Sequence, residues 1–443
     1  ARPARSASMS RCFAALLALP LTWLHAPGAA GDIGAPIIVG DYALRWSDNI
    51  SVPLPPGYAE LLPEVPDKLV VTAFEGTPLV GRNAVYMYSL KGCQGDCLQK
   101  LPGSERINWP NVVTGLNQSV FGFPALVVGD GFLVPSHTTG GVWVLEAASD
   151  PARLPSPVKV TADKAGRMPD SGWFYHLATP RDMDGDGRLD LVTARSQYGV
   201  WPWSAKRGEL LWLQQPASDP LGGQPWAEHR LVGGPDFLFC ELPGAEPLAL
   251  AAAEYIGERV AFYYFRNGTM QSRVLDGAAG PGFSCSWADL DGDGRFELLV
   301  TNHVNQNGSV YAYAFDGDDF VTASVVRHVL ATGFGAVSTK QGTAGPGDAL
   351  AFQPSAHRRG KPYILVSGDN GNCFYILVPR SEASGDFSYA VHKVADLGAD
   401  VGRPAIGDTD GDGFADVYVP AYDNHKVVHY KFADARFRAE LVV

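Results

Sequence analysis

Apolar residues in this chain come in short runs of about four to eight, the length of strands rather than of helices. Leu69-Val70-Val71-Thr72, Leu191-Val192-Thr193, Leu298-Leu299-Val300-Thr301 and Ile364-Leu365-Val366-Ser367 are typical. Gly, Pro, Asp and Asn bound each run, and these residues punctuate strands by turning the chain. No long segment places apolar residues at the 3.6-residue period of an amphipathic helix. The expected class is therefore all-β.

The runs recur. Taking the last apolar residue of each as an anchor gives Val71, Val134, Val192, Leu250, Val300, Val366 and Val419. The intervals are 63, 58, 58, 50, 66 and 53 residues. An aromatic-rich strand follows each anchor, for example Ala84-Val85-Tyr86-Met87-Tyr88, Val260-Ala261-Phe262-Tyr263-Tyr264 and Cys373-Phe374-Tyr375-Ile376-Leu377. A further element carries His-X-aliphatic at His229, His328 and His392, which reads as blade packing. Four strands per unit and seven units predict a seven-bladed β-propeller, in which radial repetition leaves only short edges. Its expected extent is 65–443. Residues 31–64 either supply the first inner strand or close the ring against the last unit. Arg438–Val443 reads as a final outer strand.

Residues 1–30 stand outside this pattern. Met9, Arg11, an apolar run from Phe13 to Leu24 and small residues up to Ala30 have the form of a secretory signal peptide, with 1–8 as leader sequence. Removing them takes the formal charge from −12 to −15, since Arg2, Arg5 and Arg11 go and no acid does. Such acidity disfavours nucleic acid and anionic membrane as partners. No later segment is apolar for long enough to span a bilayer. Five cysteines remain after residue 30. Cys93 and Cys97 are close enough to close a small loop, and Cys240 with Cys285 would leave Cys373 free, although spacing does not fix the connectivity. Sequons at Asn49, Asn117, Asn267 and Asn307 fit a secreted protein.

Three acidic loops change the picture most. Asp182-Met183-Asp184-Gly185-Asp186-Gly187-Arg188-Leu189-Asp190 has acids at positions 1, 3, 5 and 9 and glycine at 6. Asp289, Asp291, Asp293 and Glu297 repeat the pattern, and so do Asp408, Asp410, Asp412 and Asp416. Carboxylates this close converge only where the backbone turns sharply, and they make the hard oxygen cage that Ca²⁺ favours. Position 7, occupied by Arg188, Arg295 and Phe414, would add its carbonyl. Position 12 is Thr193, Val300 and Val419 rather than glutamate, and the flanks are strand-like, so these are not EF-hands.

The loop and its Val-rich following strand resemble the FG-GAP/VCBS repeats, also found in the propellers of integrin α-subunits. That resemblance implies about three Ca²⁺ ions, one per acidic loop, in units three, five and seven. The remaining units lack the acids.

The loops lie between the first and second strands of their units, so the turns after the second strands lie on the other face. There the third residue after each anchor would form a ring: Phe74, His137, Arg195, Ala253, His303, Asp369 and Tyr422. His137, Arg195, His303 and Tyr422 are its candidate acid–base groups. The first functional expectation is a secreted, calcium-stabilised module that binds an extracellular glycan or protein, as in adhesion. The alternative is a carbohydrate-active enzyme of lyase or dehydratase type, because Leu210-Leu211-Trp212 and Pro225-Trp226-Ala227-Glu228-His229 resemble repeats of propeller-containing sugar dehydratases and polysaccharide lyases. Trp201, Trp203, Trp212 and Trp226 either stack on sugars or fill seams between blades. A purely architectural matrix role fits the same features.

Overall fold

The computed structural model describes residues 35–435 apart from 77–80, 132–139, 148–155, 163–171, 199–205, 237 and 340–341. Their strands form seven antiparallel sheets, the blades of a β-propeller. Blade 1 runs Pro56–Leu61, Lys68–Phe74, Asn83–Ser89 and Leu98–Lys100 from the inner strand outwards. Blades 2 to 6 repeat that order up to Tyr389–Asp396.

The seventh blade closes the ring by mixing the two ends of the described chain. Ala405–Gly407, Asp416–Ala421 and Lys426–Asp434 are its first three strands. Tyr42–Ser51 pairs with Lys426–Asp434 as the fourth, and Ile37–Val39 adds a fifth. Both roles left open for residues 31–64 are therefore taken, since Pro56–Leu61 is also the inner strand of blade 1. The outer strand expected from Arg438–Val443 lies outside the described residues, and Tyr42–Ser51 occupies that place. Ring closure also uses a close backbone approach. Arg403 donates its N–H to the Gly57 carbonyl and its own carbonyl accepts from Ala59 N. A Cβ at Gly402 would overlap the Gly57 carbonyl oxygen, so only glycine fits there.

Blade 2 corrects one anchor. Its second strand is Ala125–Asp130, so Val128 and not Val134 takes the equivalent position. Phe132–Pro135 lie outside the described residues. The run Ala125-Leu126-Val127-Val128 carries the same apolar signature, and the choice between two neighbouring runs was not determined by pattern alone.

The core is divided among seven seams, one between each pair of neighbouring blades. Val70 faces blade 2 with Val85, Val113 and Leu126, while Val71 faces blade 7 with Tyr418 and Val427. Leu298 packs towards blade 4 beside Phe262, and Leu299 towards blade 6 beside Ile364 and Leu377. Successive side chains point to opposite faces of a strand. A strand buried on both faces therefore reads as a continuous apolar run, which is why anchors and not alternation revealed the repeat. Each large aliphatic buried this way contributes about 1.5–3 kcal/mol. Trp226 is buried in the seam between blades 2 and 3, while Trp201 and Trp203 lie outside the described residues. His229, His328 and His392 all sit on fourth strands, where His229 stacks on Trp212 at 4.2 Å and His328 on Phe387 at 3.9 Å.

Candidate functional site

The three acidic loops join first to second strands in blades 3, 5 and 7. They share one hydrogen-bond pattern. The position-1 carboxylate (Asp182, Asp289, Asp408) accepts from the amides of both glycines, at positions 4 and 6. Those glycines have φ between 75° and 87°, which only glycine adopts freely. The position-3 carboxylate accepts from the position-5 amide, and the position-9 carboxylate from the position-2 amide.

The result is three carboxylates per loop with one oxygen each within 4.8 Å of the others: Asp182, Asp184 and Asp190; Asp289, Asp291 and Glu297; Asp408, Asp410 and Asp416. An all-carboxylate set of this kind fits a hard divalent cation. Position 5 stands apart from the converging set. Asp186 pairs with the Arg188 guanidinium and Asp293 with that of Arg295 at 2.5 Å. Asp412 accepts from the Phe414 amide at 2.8 Å. Burial, then repulsion from Asp291, Asp293 and Asp289, pushes the Glu297 carboxyl up to about 7 against the hydrogen bond from Leu290. Burial also opposes charge on Asp416, but hydrogen bonds from His429 and Thr409 outweigh it and hold the carboxyl low. Lys431 pairs with Asp410.

The opposite face carries a different feature. The loop from first to second strand and the turn from second to third leave an antiparallel sheet at opposite ends, so this face collects the latter turns and the lead-ins to the inner strands. A cavity of about 390 Å³ opens there across blades 5, 6, 7, 1 and 2. Aromatic walls line it: Phe74 stacks on Trp109 at 4.4 Å, Tyr422 leans on Phe74 at 5.6 Å, and Phe283 stands across from them. Trp109 is held at φ 56° by a hydrogen bond from its amide to Asn83 Oδ1. Positive φ is rare for so bulky a residue.

Polar groups crowd the cavity between these walls. Arg403 donates to Glu60 Oε1 at 2.9 Å and to Asp348 Oδ1 at 2.6 Å, joining blades 7, 1 and 6. Burial pushes Glu60 up to about 7 despite Arg403, and raises Asp348 likewise. Asp369 sits at φ 48° on the turn of blade 6. Burial, then Asp400 and Asp348, raises it well above the usual carboxylate range. Asp400 is pushed to about 6 by burial and by Asp423, although Asn370 donates to it at 2.7 Å.

Of the ring expected here, Phe74, Asp369 and Tyr422 do line the cavity. The Tyr422 hydroxyl donates to the Phe74 carbonyl at 2.8 Å, and burial raises its pKa. His303 stands behind the wall, stacked on Phe283 at 4.5 Å. Its Nδ1 lies 2.9 Å from the Pro346 carbonyl oxygen and its Nε2 3.5 Å from Asp369 Oδ2. Burial lowers it to about 4, so the ring is neutral at neutral pH. Its Nδ1–H then donates to Pro346, leaving Nε2 as an acceptor towards Asp369.

Arg195 is placed elsewhere. It is buried in blade 3, bonded to Glu209, Glu228 and Tyr175 and set over the Trp173 ring. These neighbours outweigh burial and keep it charged. His137 lies outside the described residues, and Gly131 holds the equivalent position once Val128 is the anchor. Ala253 is buried against Gly282.

Sequence reasoning missed Trp109, Phe283, Asp348, Asp400 and Arg403. All five lie at or just before inner strands, in the one part of the repeat without an anchor; aligning on those strands would have found them. A second cavity, about 730 Å³, opens beside the blade-5 acidic loop, next to Arg358 and Lys361. These cations are committed, Arg358 to Glu382 and Lys361 to the carbonyls of Ala383 and Asp386. Among the described residues of its lining Phe352 is the one aromatic side chain, so the aromatic-walled cavity is the stronger ligand site.

No protein-family model matches the chain. No curated protein matches it either. Among solved structures it is similar to the PQQ-bound form of an aldose sugar dehydrogenase from Streptomyces coelicolor, at 9% identity and TM-score 0.40 over 90% of this chain and 100% of that one. The Dos1 propeller is similar at 11% identity and TM-score 0.46, over 82% of this chain and 75% of that one. A glucose dehydrogenase is similar at 10% identity and TM-score 0.39, over 88% and 98%. At these identities the likeness is one of fold alone.

Proposed function

We propose that this protein is a secreted propeller, stabilised by Ca²⁺, that binds an extracellular glycan through the aromatic-walled cavity. The cavity carries the reading. Trp109, Phe74, Phe283 and Tyr422 supply flat apolar faces, and Asp369, Asn370 and Asp400 supply acceptors and donors beside them. Sugar rings present that combination of C–H faces and hydroxyl edges. A concave site of this size suits a small or chain-like ligand better than a flat protein surface.

The metal loops support a structural role for the ion. They lie on the face away from the cavity, and each ties an inner strand to its neighbour. Asp182, Asp184 and Asp190, then Asp289, Asp291 and Glu297, then Asp408, Asp410 and Asp416 would hold one Ca²⁺ each. The ion would supply the positive charge that relieves repulsion among the acids. Secretion is supported by the signal-like residues 9–30, by the disulfides Cys93–Cys97 and Cys240–Cys285, and by four sequons whose asparagines are all exposed. Among the described residues no helix is long and apolar enough to cross a membrane.

Of the acid–base set behind the lyase or dehydratase alternative, His137 lies outside the described residues, and the other three are already engaged. Arg195 is bound within blade 3, Tyr422 is bonded to a backbone carbonyl, and His303 is screened by Phe283. A glycan array probed with and without chelator tests the binding reading, and Trp109→Ala should abolish the signal while leaving melting unchanged. Incubation with uronate polysaccharides should give no new absorbance from unsaturated products. Chelation that abolishes binding without lowering the melting temperature would overturn the structural assignment of the ions.

A further inference from the structure

Resting on the reading of the acidic loops as Ca²⁺ sites, we infer that the three loops are not equivalent. In blade 7 the ammonium of Lys431 stands in the cation's place, so this loop takes its ion last and the ring closes without it.

Among the described residues, each loop sets four acids around one Lys or Arg within ion-pair distance. The loops are therefore alike in formal charge and differ in where the cation sits. In blades 3 and 5 it is the position-7 arginine. Arg188 pairs with Asp186 and Arg295 with Asp293, both at position 5 and outside the converging trio. The trios Asp182, Asp184, Asp190 and Asp289, Asp291, Glu297 are left to the ion. In blade 7 position 7 is Phe414, whose ring packs edge-on against Tyr42 of the closing strand at 6.4 Å. The cation comes instead from the third strand. Lys431 pairs with Asp410 and lies 3.9 Å from Asp416 Oδ1, and both acids belong to the trio. His429 Nε2 lies 3.0 Å from that same Asp416 oxygen.

The strand register shows how the loops came to differ. Lys431 is the partner of Asp416 across the second and third strands. One step beyond the Leu191–Leu213 and Leu298–Tyr313 pairs, the same place holds Gln214 and Ala314. Gln214 donates to Asp184 Oδ2 at 2.6 Å and brings no charge. Ala314 brings neither donor nor charge. A divalent ion entering blade 7 must displace the ammonium or bind beside a like charge. The pair is part-exposed and worth little by itself, so the ammonium can swing into solvent, and the ion is weakened rather than excluded. Lys431 lies on Lys426–Asp434, the strand that receives Tyr42–Ser51. The blade that closes the ring thus relieves its own acid repulsion, and closure does not wait for Ca²⁺.

Calorimetric titration of the chelator-stripped full chain with Ca²⁺ tests this. Two sites of similar affinity and a third roughly tenfold weaker are expected. Lys431→Gln, which copies Gln214 of blade 3, should tighten the third site roughly tenfold. Arg295→Gln also removes one charge, but beside position 5, and should tighten the blade-5 site by less than about threefold. Amide exchange followed by mass spectrometry reads each loop separately. On stripping the ion, residues 182–190 and 289–297 should exchange faster, while 408–416 should hold until Lys431 is replaced. Three equal sites, a third site neither tightened nor created by Lys431→Gln, or an equal gain from Arg295→Gln would each overturn the inference and leave the calcium reading in place. A stoichiometry of two that Lys431→Gln raises to three would support it. No bound Ca²⁺ at all would overturn the calcium reading and this inference together.

Discussion

Replacing Arg403 with methionine tests the closure of the ring and the electrostatics of the cavity together. The guanidinium is mostly buried, with its side chain 23% exposed, and it holds Glu60 of blade 1 and Asp348 of blade 6. Methionine keeps the stem volume and removes the charge. Two carboxylates, 16% and 3% exposed, are then left facing each other without a cation. Breaking a buried pair from one side costs about 3–5 kcal/mol.

Proton uptake limits that cost. Glu60 already stands at about 7, so near neutral pH it becomes neutral with little penalty. Asp348 is also raised by burial and rises further without Arg403. A carboxyl whose folded-state pKa exceeds its unfolded value favours the fold when protonated. Its contribution is complete below the unfolded pKa and is lost as pH rises through the folded one. The gap between wild type and Arg403→Met should therefore be widest near about pH 8 and should shrink by about 1–3 kcal/mol near about pH 5, at 1.36 kcal/mol per unit of pKa. Denaturant unfolding at several pH values, followed by tryptophan fluorescence, measures it. Adding Glu60→Gln and Asp348→Asn to the variant should restore most of the stability and flatten the pH dependence, because a neutral set of similar volume leaves no buried charge. A gap below about 1 kcal/mol, or one independent of pH, would refute the reasoning.

Other consequences are open to simpler measurements. Chelation should lower the melting temperature, since an ion bound only to the folded state contributes about 2.7 kcal/mol per site at a hundredfold excess over its Kd; unchanged melting would show the acidic loops bind no stabilising cation. Asp289→Asn with Asp291→Asn should remove one ion from the stoichiometry measured by metal analysis. Gly402→Ala should cost about 1–3 kcal/mol by forcing blade 7 away from the Gly57 carbonyl, seen as a lower denaturant midpoint. Reducing the Cys240–Cys285 disulfide, which joins the inner strands of blades 4 and 5 across a separation of 45 residues, should cost about 2–4 kcal/mol, seen as earlier melting in reductant.

The repeat was legible because it is written twice over, once in apolar runs and once in acid loops that only a sharp turn accommodates. The fold class, the blade number and the place of the acid loops followed from those two signals. Blade 2 slipped because Ala125–Val128 and Phe132–Val134 are two apolar runs a few residues apart, and only pairing with Gly141–Glu146 separates them. Arg195 was misread because a register position shows where a residue stands in a strand and not who its neighbours are. Glu209 and Glu228, which bind it, come from the next two strands of the same blade. The cavity was hidden for a related reason. Its members come from lead-ins of different lengths in five blades, and nothing along the chain marks Trp109, Asp348 and Arg403 as neighbours.

The seam that Tyr42–Ser51 makes with Lys426–Asp434 sets an order on biosynthesis. Asp48 reaches His429 across a sequence separation of 381. A ribosome must therefore deliver six complete blades and most of a seventh before Tyr42–Ser51 meets Lys426–Asp434. Until then the nascent arc has two raw flanks, one of them bearing Trp46, and both invite association with other chains. Contacts this distant in sequence form slowly. Shielding by chaperones would thus matter most in the interval between the end of synthesis and the snapping shut of this last clasp.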